Sequence, residues 1–247
     1  MNPLFEILFE DDDLLVVGKP AGLVCHPTKG DEYSSLISRA RLHLPGGAPH
    51  LVNRLDRETS GVVVIAKNPA AAGELGKAWE ARTVEKEYLA IVHGWPAAEQ
   101  GTLDGPLGKD VNSRVVVKDC VRPDGAAALT EYTVEKRFMR GGKPFALLRV
   151  KPRTGRKHQI RIHLAHAGHP IVGDKIYGGD EDCYLALVED RMTDAHREKL
   201  LLPNQALHAC RVRFEWRGVV REFVCEPEWE FGEFIAGDCG SELKPVL

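Results

Sequence analysis

The 247-residue sequence contains no run of about 18 apolar residues, so no helix built from it is expected to cross a bilayer. Its opening, MNPLFEILFEDDD, has neither a basic first segment nor a long apolar core, and no secretion signal is expected there. The six cysteines (Cys25, Cys120, Cys183, Cys210, Cys225 and Cys239) include no CxxC pair. An even count permits disulfides, but an unsignalled chain of this size points to reduced thiols and a cytoplasmic setting. The patterns GxGxxG, GxxxxGK[ST], GxSxG and HExxH are all missing, which sets aside most nucleotide-cofactor enzymes, α/β-hydrolases and zincins. There is no internal repeat and no low-complexity linker. With 43% hydrophobic and 28% charged residues the composition is that of a globular protein. A chain this long buries roughly 70–75% of its unfolded surface and needs neither disulfide nor metal to fold.

An overall excess of positive charge is missing too: 33 Lys and Arg against 36 Asp and Glu give a net charge of −3. The charges are nevertheless segregated. Residues 151–163 read KPRTGRKHQIRIH, with five Lys or Arg, two His and no acid. Acids gather at Glu6–Asp13, at Asp180–Asp194 and from Glu226 to Glu233. A basic stretch inside an acidic shell suits a localised polyanion site. It equally suits a solvated face paired with nearby acids.

Short strands outnumber helices in the hydrophobic pattern. FEILFE and LLVVGKP read as a hairpin around Asp11–Asp13. A helix over 34–44 is capped by Ser34 or Ser35, and GVVVIAK (61–67) is a buried-type strand. Asn68 then caps a helix with Pro69 at its first position, running to about Arg82. EYLAIVH (87–93) is a strand, and 129–139 with 145–151 form a hairpin around Gly141 and Gly142. A helix over 157–167 stops at Gly168, and 206–216 with 220–225 form a last hairpin. This pattern predicts an α+β fold: a mixed, largely antiparallel β-sheet with flanking helices, in a single domain spanning 1–247.

Four segments hold residues with chemical potential. In RLDRETSG (54–61), Asp56 lies between two arginines. A carboxylate beside guanidinium groups stays ionised and suits nucleophilic or general-base work, or simply a surface ion pair before a strand. TGRKHQIRIHLAHAGH (154–169) carries His158, His163, His166 and His169, but no Cys or acid lies among them, and Asp174 is the nearest carboxylate. No metal site is expected there, and Arg156, Lys157 and Arg161 are better read as phosphate or carboxylate partners. GKPAGLVCHP (18–27) is a Gly/Pro loop, and Tyr88 in EKEYLAIVHG (85–94) reads on its own as a core tyrosine.

Taken in order, GKPAGLVCHP, RLDRETSG, EKEYLAIVHG, TGRKHQIRIHLAHAGHPIVGD and LLLPNQALHA resemble the RluA-type family of RNA pseudouridine synthases, over Gly18 to Ala209. The family usually reads HRLD where this chain has Asn53 before Arg54. Many relatives carry a small RNA-binding module ahead of the catalytic domain. With about 17 residues before GKPAG, none is expected here.

The resemblance implies isomerisation of uridine to pseudouridine in structured RNA, tRNA or rRNA, with the target base flipped out and no cofactor. It implies that Asp56 is the catalytic carboxylate, Arg161 its basic partner, and Tyr88 the aromatic that stacks on the base. Leu207 becomes an apolar wall of the uracil pocket, and Arg54 fills the gap left by the flipped base. Thr59 and Gly61 shape the turn that presents Asp56. Lys19, Arg156, Lys157 and His158 are expected to contact the RNA backbone. The partner is RNA, with no membrane, and the chain is expected to be a monomer. A non-catalytic RNA-binding relative would lack Asp56 or Tyr88, and a hydrolase would need a second base.

Overall fold

The computed structural model describes residues 5–27 and 34–236. Cys239 lies outside them; the other five cysteines are free. Strands β1 (Glu6–Glu10) and β2 (Leu14–Lys19) form the first hairpin, its turn closed by the Asp11 carboxylate accepting from the amides of Asp13 and Leu14. Helix α1 (Leu36–His43) starts at Ser35, whose hydroxyl accepts from the Ser38 amide. Next come the two-residue β3 (His50–Leu51), β4 (Ser60–Ala66) and α2 (Pro69–Glu80), the last capped by Asn68 accepting from the Ala71 amide at 2.9 Å. Then follow β5 (Glu85–His93), β6 (Gln100–Asp104), β7 (Leu107–Lys109), β8 (Asp119–Val121), and the long hairpin β9 (Leu129–Arg140) and β10 (Lys143–Pro152). Helices α3 (Gln159–His166), α4 (Asp182–Val188) and α5 (Asp194–Leu200) precede the hairpin β11 (Leu207–Trp216) and β12 (Val219–Val224), and α6 (Trp229–Ala236) follows it. Among the described residues no helix is long and apolar enough to cross a membrane.

Ten strands form one sheet in the order β1-β2-β4-β11-β5-β10-β9-β6, with β3 beside β4 and β12 beside β11. β7 and β8 make a separate pair. The expected α+β architecture is therefore present, and its pairs are antiparallel except one. That exception is β4 with β11, which run parallel through only His208 opposite Ser60 and Ala209 opposite Gly61.

β4 reads as an unbroken apolar run because both of its faces are covered. Val62 and Val64 pack with Ala71 and Leu75 of α2, while Val63 and Ile65 pack with Leu36 and Ala40 of α1. In the other half of the sheet, Ile91, Phe145 and Leu148 pack with Leu164 of α3 and Phe234 of α6. The β7–β8 pair and the loop joining its strands pack against α3 through Leu107, Val115 and Ile162. One boundary differs from expectation. The helix expected from residue 157 begins at Gln159, because His158 adopts a left-handed conformation (φ 56°, ψ 14°) that cannot lie within a right-handed turn.

The parallel junction explains the glycine of RLDRETSG. Gly61 has φ +114°, and a Cβ there would lie 2.7 Å from the Ala209 nitrogen and closer still to the Ala209 carbonyl oxygen. A side chain would pry β4 from β11. Gly61→Ala is expected to destabilise the fold by about 3 kcal/mol or more, combining backbone strain with overpacking. Urea denaturation against the parent protein checks this.

Candidate active site

The loop from β3 to β4 is tied down on both sides of Asp56. Asn53 accepts from the Val64 amide at 2.7 Å and donates to the Val62 carbonyl at 3.2 Å, so its side chain continues the ladder between β3 and β4. Asn53 thus serves as a brace for β4. Thr59 is buried and its hydroxyl accepts from Gln205 at 2.6 Å. Ser60 meets His208 Nδ1 at 2.9 Å, while His208 Nε2 donates to the Cys225 carbonyl. Burial lowers the His208 pKa, which suits this neutral tautomer. Glu58 pairs with the buried Lys175 at 2.7 Å.

Asp56, the middle of this loop, is partly exposed. Its Oδ2 accepts from Arg161 Nη1 at 2.8 Å. Arg161 is 5% exposed and has a second carboxylate partner. Its Nε and Nη2 donate to Oδ2 and Oδ1 of Asp174 at 2.7 and 2.9 Å, a bidentate pair. Asp174 Oδ1 also accepts from the amides of Ile176 and Tyr177. Burial alone would raise the Asp174 pKa, but Arg161 and these amides outweigh it and hold the carboxyl below its usual range. Burial likewise opposes the charge on Arg161, and the two carboxylates outweigh it and raise the pKa. The guanidinium also lies over the Tyr177 ring, 5.0 Å from its centroid. Asp174 was not assigned a role from sequence. Its signal was a lone acid inside the apolar stretch PIVGDKIY, which must find a cation if it is buried.

Asp56 and Arg161 line an open cleft of about 830 Å³ together with Tyr88, Leu207, Arg54 and Thr59. Tyr88 is half-buried on β5, and burial with the nearby Asp56 carboxylate pushes its hydroxyl pKa up, so the phenol is protonated at neutral pH. Leu207 is buried at the start of β11. Arg54 is exposed in the cleft wall.

Two expected backbone contacts are placed differently. Lys19 is 1% exposed, and its ammonium donates to the carbonyls of Pro20, Leu23 and Arg57 at 2.8, 2.8 and 3.1 Å. All three of its protons are used within the fold, so it braces the loop after β2 and has none left for phosphate. His158 lines the cleft, but its Nδ1 meets Tyr177 Oη at 3.0 Å, and burial with the neighbouring Arg161 lowers its pKa to about 4. At neutral pH it is an uncharged hydrogen-bonding group and not a phosphate-binding cation.

The basic stretch is also less exposed as charge than its sequence suggests. Lys151 pairs with Glu87, Arg153 with Glu131, Lys157 with Asp119 at 2.9 Å, and Arg161 with Asp56 and Asp174. Of its five cations only Arg156 has no carboxylate partner among the described residues; its Nε donates to the Ala127 carbonyl at 3.2 Å. His163 has both ring nitrogens engaged, with Thr130 Oγ1 and the Gly105 carbonyl, so neither is offered to a metal.

The chain has relatives among known proteins. The family model for RNA pseudouridylate synthase matches residues 13–166, a span that includes Asp56, Tyr88 and Arg161. An uncharacterized RNA pseudouridine synthase of Aquifex aeolicus is 42% identical over 184 residues, covering 72% of this chain and 57% of the relative. Ribosomal large subunit pseudouridine synthase D of Pseudomonas aeruginosa is 38% identical over 208 residues, covering 83% and 62%. The solved structure of human RNA Pseudouridylate Synthase Domain Containing 1 superposes with a TM-score of 0.71 at 27% identity, over 91% of this chain and 83% of that one. The chain belongs to the RluA-type family of RNA pseudouridine synthases. It spans about three-fifths of the length of the two bacterial relatives.

The double pairing of Arg161 sets its structural weight. Arg161→Met removes the one cation that, among the described residues, pairs with the fully buried Asp174 carboxylate, and is expected to cost about 3–5 kcal/mol. Adding Asp174→Asn removes the stranded charge while keeping an oxygen for the amides of Ile176 and Tyr177. The double variant is expected to recover at least half of that loss in chemical denaturation.

Proposed function

We propose that this chain is an RNA pseudouridine synthase whose catalytic carboxylate is Asp56. The observation that carries the reading is the carboxylate of Asp56 held by a buried arginine at the wall of a cleft shared with Tyr88 and Leu207. A uridine stacked in a helix hides its reacting atoms, so the base enters the cleft flipped out. Tyr88 and Leu207 offer an aromatic and an aliphatic wall for the uracil, and Arg54 fills the vacated stack. Asp56 can add to the ribose or the base, or assist loss of the base as a glycal is formed. In each case the bond from C1′ to N1 breaks, the uracil turns, and C1′ bonds to C5. The proton lost from C5 is balanced by one gained at N1, so no redox partner is consumed. In this reading the Tyr88 hydroxyl, protonated at neutral pH, relays that proton by accepting one as it gives up its own.

The substrate is structured RNA, tRNA or rRNA. The relatives named for the large ribosomal subunit favour rRNA for this chain. The described chain serves as a catalytic domain, with Arg156 and Lys157 meeting phosphates at the mouth of the cleft.

Asp56→Asn removes the charge and keeps the shape, and Arg161 retains its bidentate pair with Asp174. The variant is expected to unfold within a degree or two of the parent while pseudouridine formation falls by at least about 10³-fold. Site-resolved mapping on a transcript of the large ribosomal RNA reads this, and parent-like turnover would overturn the role of Asp56.

The two basic residues should differ in their effect on RNA binding. Arg156→Ala removes a cation with no carboxylate partner and should flatten the logarithmic salt dependence by about 0.7–0.9 units. Lys157→Ala also frees Asp119, which adds a negative charge near the RNA, so affinity should drop more at low salt than for Arg156→Ala. Filter binding at several salt concentrations separates the two.

A further inference from the structure

Lys86 is a half-buried lysine on β5 whose ammonium makes no hydrogen bond or ion pair with any described residue. It lines the main cleft, and it also lines an adjoining groove of about 340 Å³ whose walls include Arg82, Thr83, Lys151 and Arg153. Pro152 is likewise shared by the two cavities, so they meet at Lys86. The other carriers of charge around this groove are mostly neutralised: Lys151 by Glu87, Arg153 by Glu131, and Glu85 by Arg213. Arg82, held at φ +58° just beyond α2, has no side-chain partner among the described residues.

We infer that Lys86, with Arg82 beside it, forms a phosphate subsite for the RNA strand flanking the target nucleotide, where that strand leaves the cleft and enters the groove. The inference rests on the assignment of the cleft as a uridine site. Lys86 and Tyr88 are two residues apart on one strand and share a face, which separates their Cα atoms by about 7 Å. That is of the order of one nucleotide step in an extended strand. A base held on Tyr88 therefore leaves a neighbouring phosphodiester within reach of Lys86. A desolvated ammonium without a partner is costly, and a phosphate removes that cost. Burial and the nearby Arg82 lower the Lys86 pKa, as expected of a cation in a site built for an absent anion.

The test is salt-dependent binding of an unmodified large-subunit ribosomal RNA transcript by the parent, Lys86→Met and Lys86→Arg. A control is Lys143→Met, at the opposite end of β10 from Lys151. Lys86→Met should bind several-fold more weakly at low salt, with a slope flatter by about 0.7 units, the value for one phosphate on a single strand. Its melting temperature should stay level or rise, because an unpaired charge has been removed. Lys86→Arg should keep the parent slope, and so should the control. A parent slope in Lys86→Met, or loss of binding with a fall in melting temperature equal to that of a misfolded variant, overturns the subsite. Pseudouridine mapping on the same samples separates the two readings. A parent protein that forms no pseudouridine, yet shows the slope change at Lys86, overturns the isomerase and keeps the subsite.

Discussion

A buried guanidinium between two carboxylates is the constraint on which this site rests. Arg161 lies on α3, Asp174 on the connection that follows, and Asp56 on the loop before β4. Asp174 takes two of the guanidinium nitrogens and is itself fixed by two backbone amides, which leaves Nη1 for Asp56. One carboxylate is buried and structural, the other partly exposed in the wall of the cleft. A lone buried arginine would be too costly, and a lone Asp56–Arg161 pair would leave two guanidinium nitrogens without acceptors.

The remaining polar contacts of the aspartate loop follow the same logic. Asn53, Glu58, Thr59 and Ser60 each hold a partner outside the loop, from β4, from the connection after α3, from the connection before β11, or from β11 itself. A loop of irregular backbone thereby acquires the rigidity of a strand, and Asp56 needs that rigidity to keep its carboxylate in place. Lys19 extends this bracing to the neighbouring Gly/Pro loop by spending all its protons on carbonyls.

Much of the architecture was legible in the sequence because the signals were local. Asn68-Pro69 marks the start of α2, and the apolar run before it marks a strand covered on both faces. The hairpins are visible as paired apolar runs around a turn of aspartates or glycines. The short strands β3, β6, β7 and β8 and the helices α4 to α6 carry weaker periodicity and are not evident in the sequence. In the site, Asp56, Tyr88, Arg161 and Leu207 line one cleft, and what failed was the inference from residue type to exposure. Lys19 and His158 look in sequence like groups for phosphate, but their burial is set by distant segments. Asp174, Gln205 and Lys86 were overlooked for the complementary reason: their partners, or the lack of any, are tertiary facts.

The narrow parallel junction gives the molecule the character of a book whose spine is two rungs long. Asp56 belongs to one leaf, with β1, β2, β3 and β4; Tyr88 and Arg161 belong to the other, with β5, β10 and α3. Residues that never face the cleft, such as Gln205, His208 and Cys225, work as stitches along that spine. Replacing Gln205 or His208 removes a side-chain tie between the aspartate loop and the strands beyond it without touching the cleft lining. Sequence drift at the back of the sheet can thus loosen the seating of the Asp56 loop without replacing a single residue that lines the cleft.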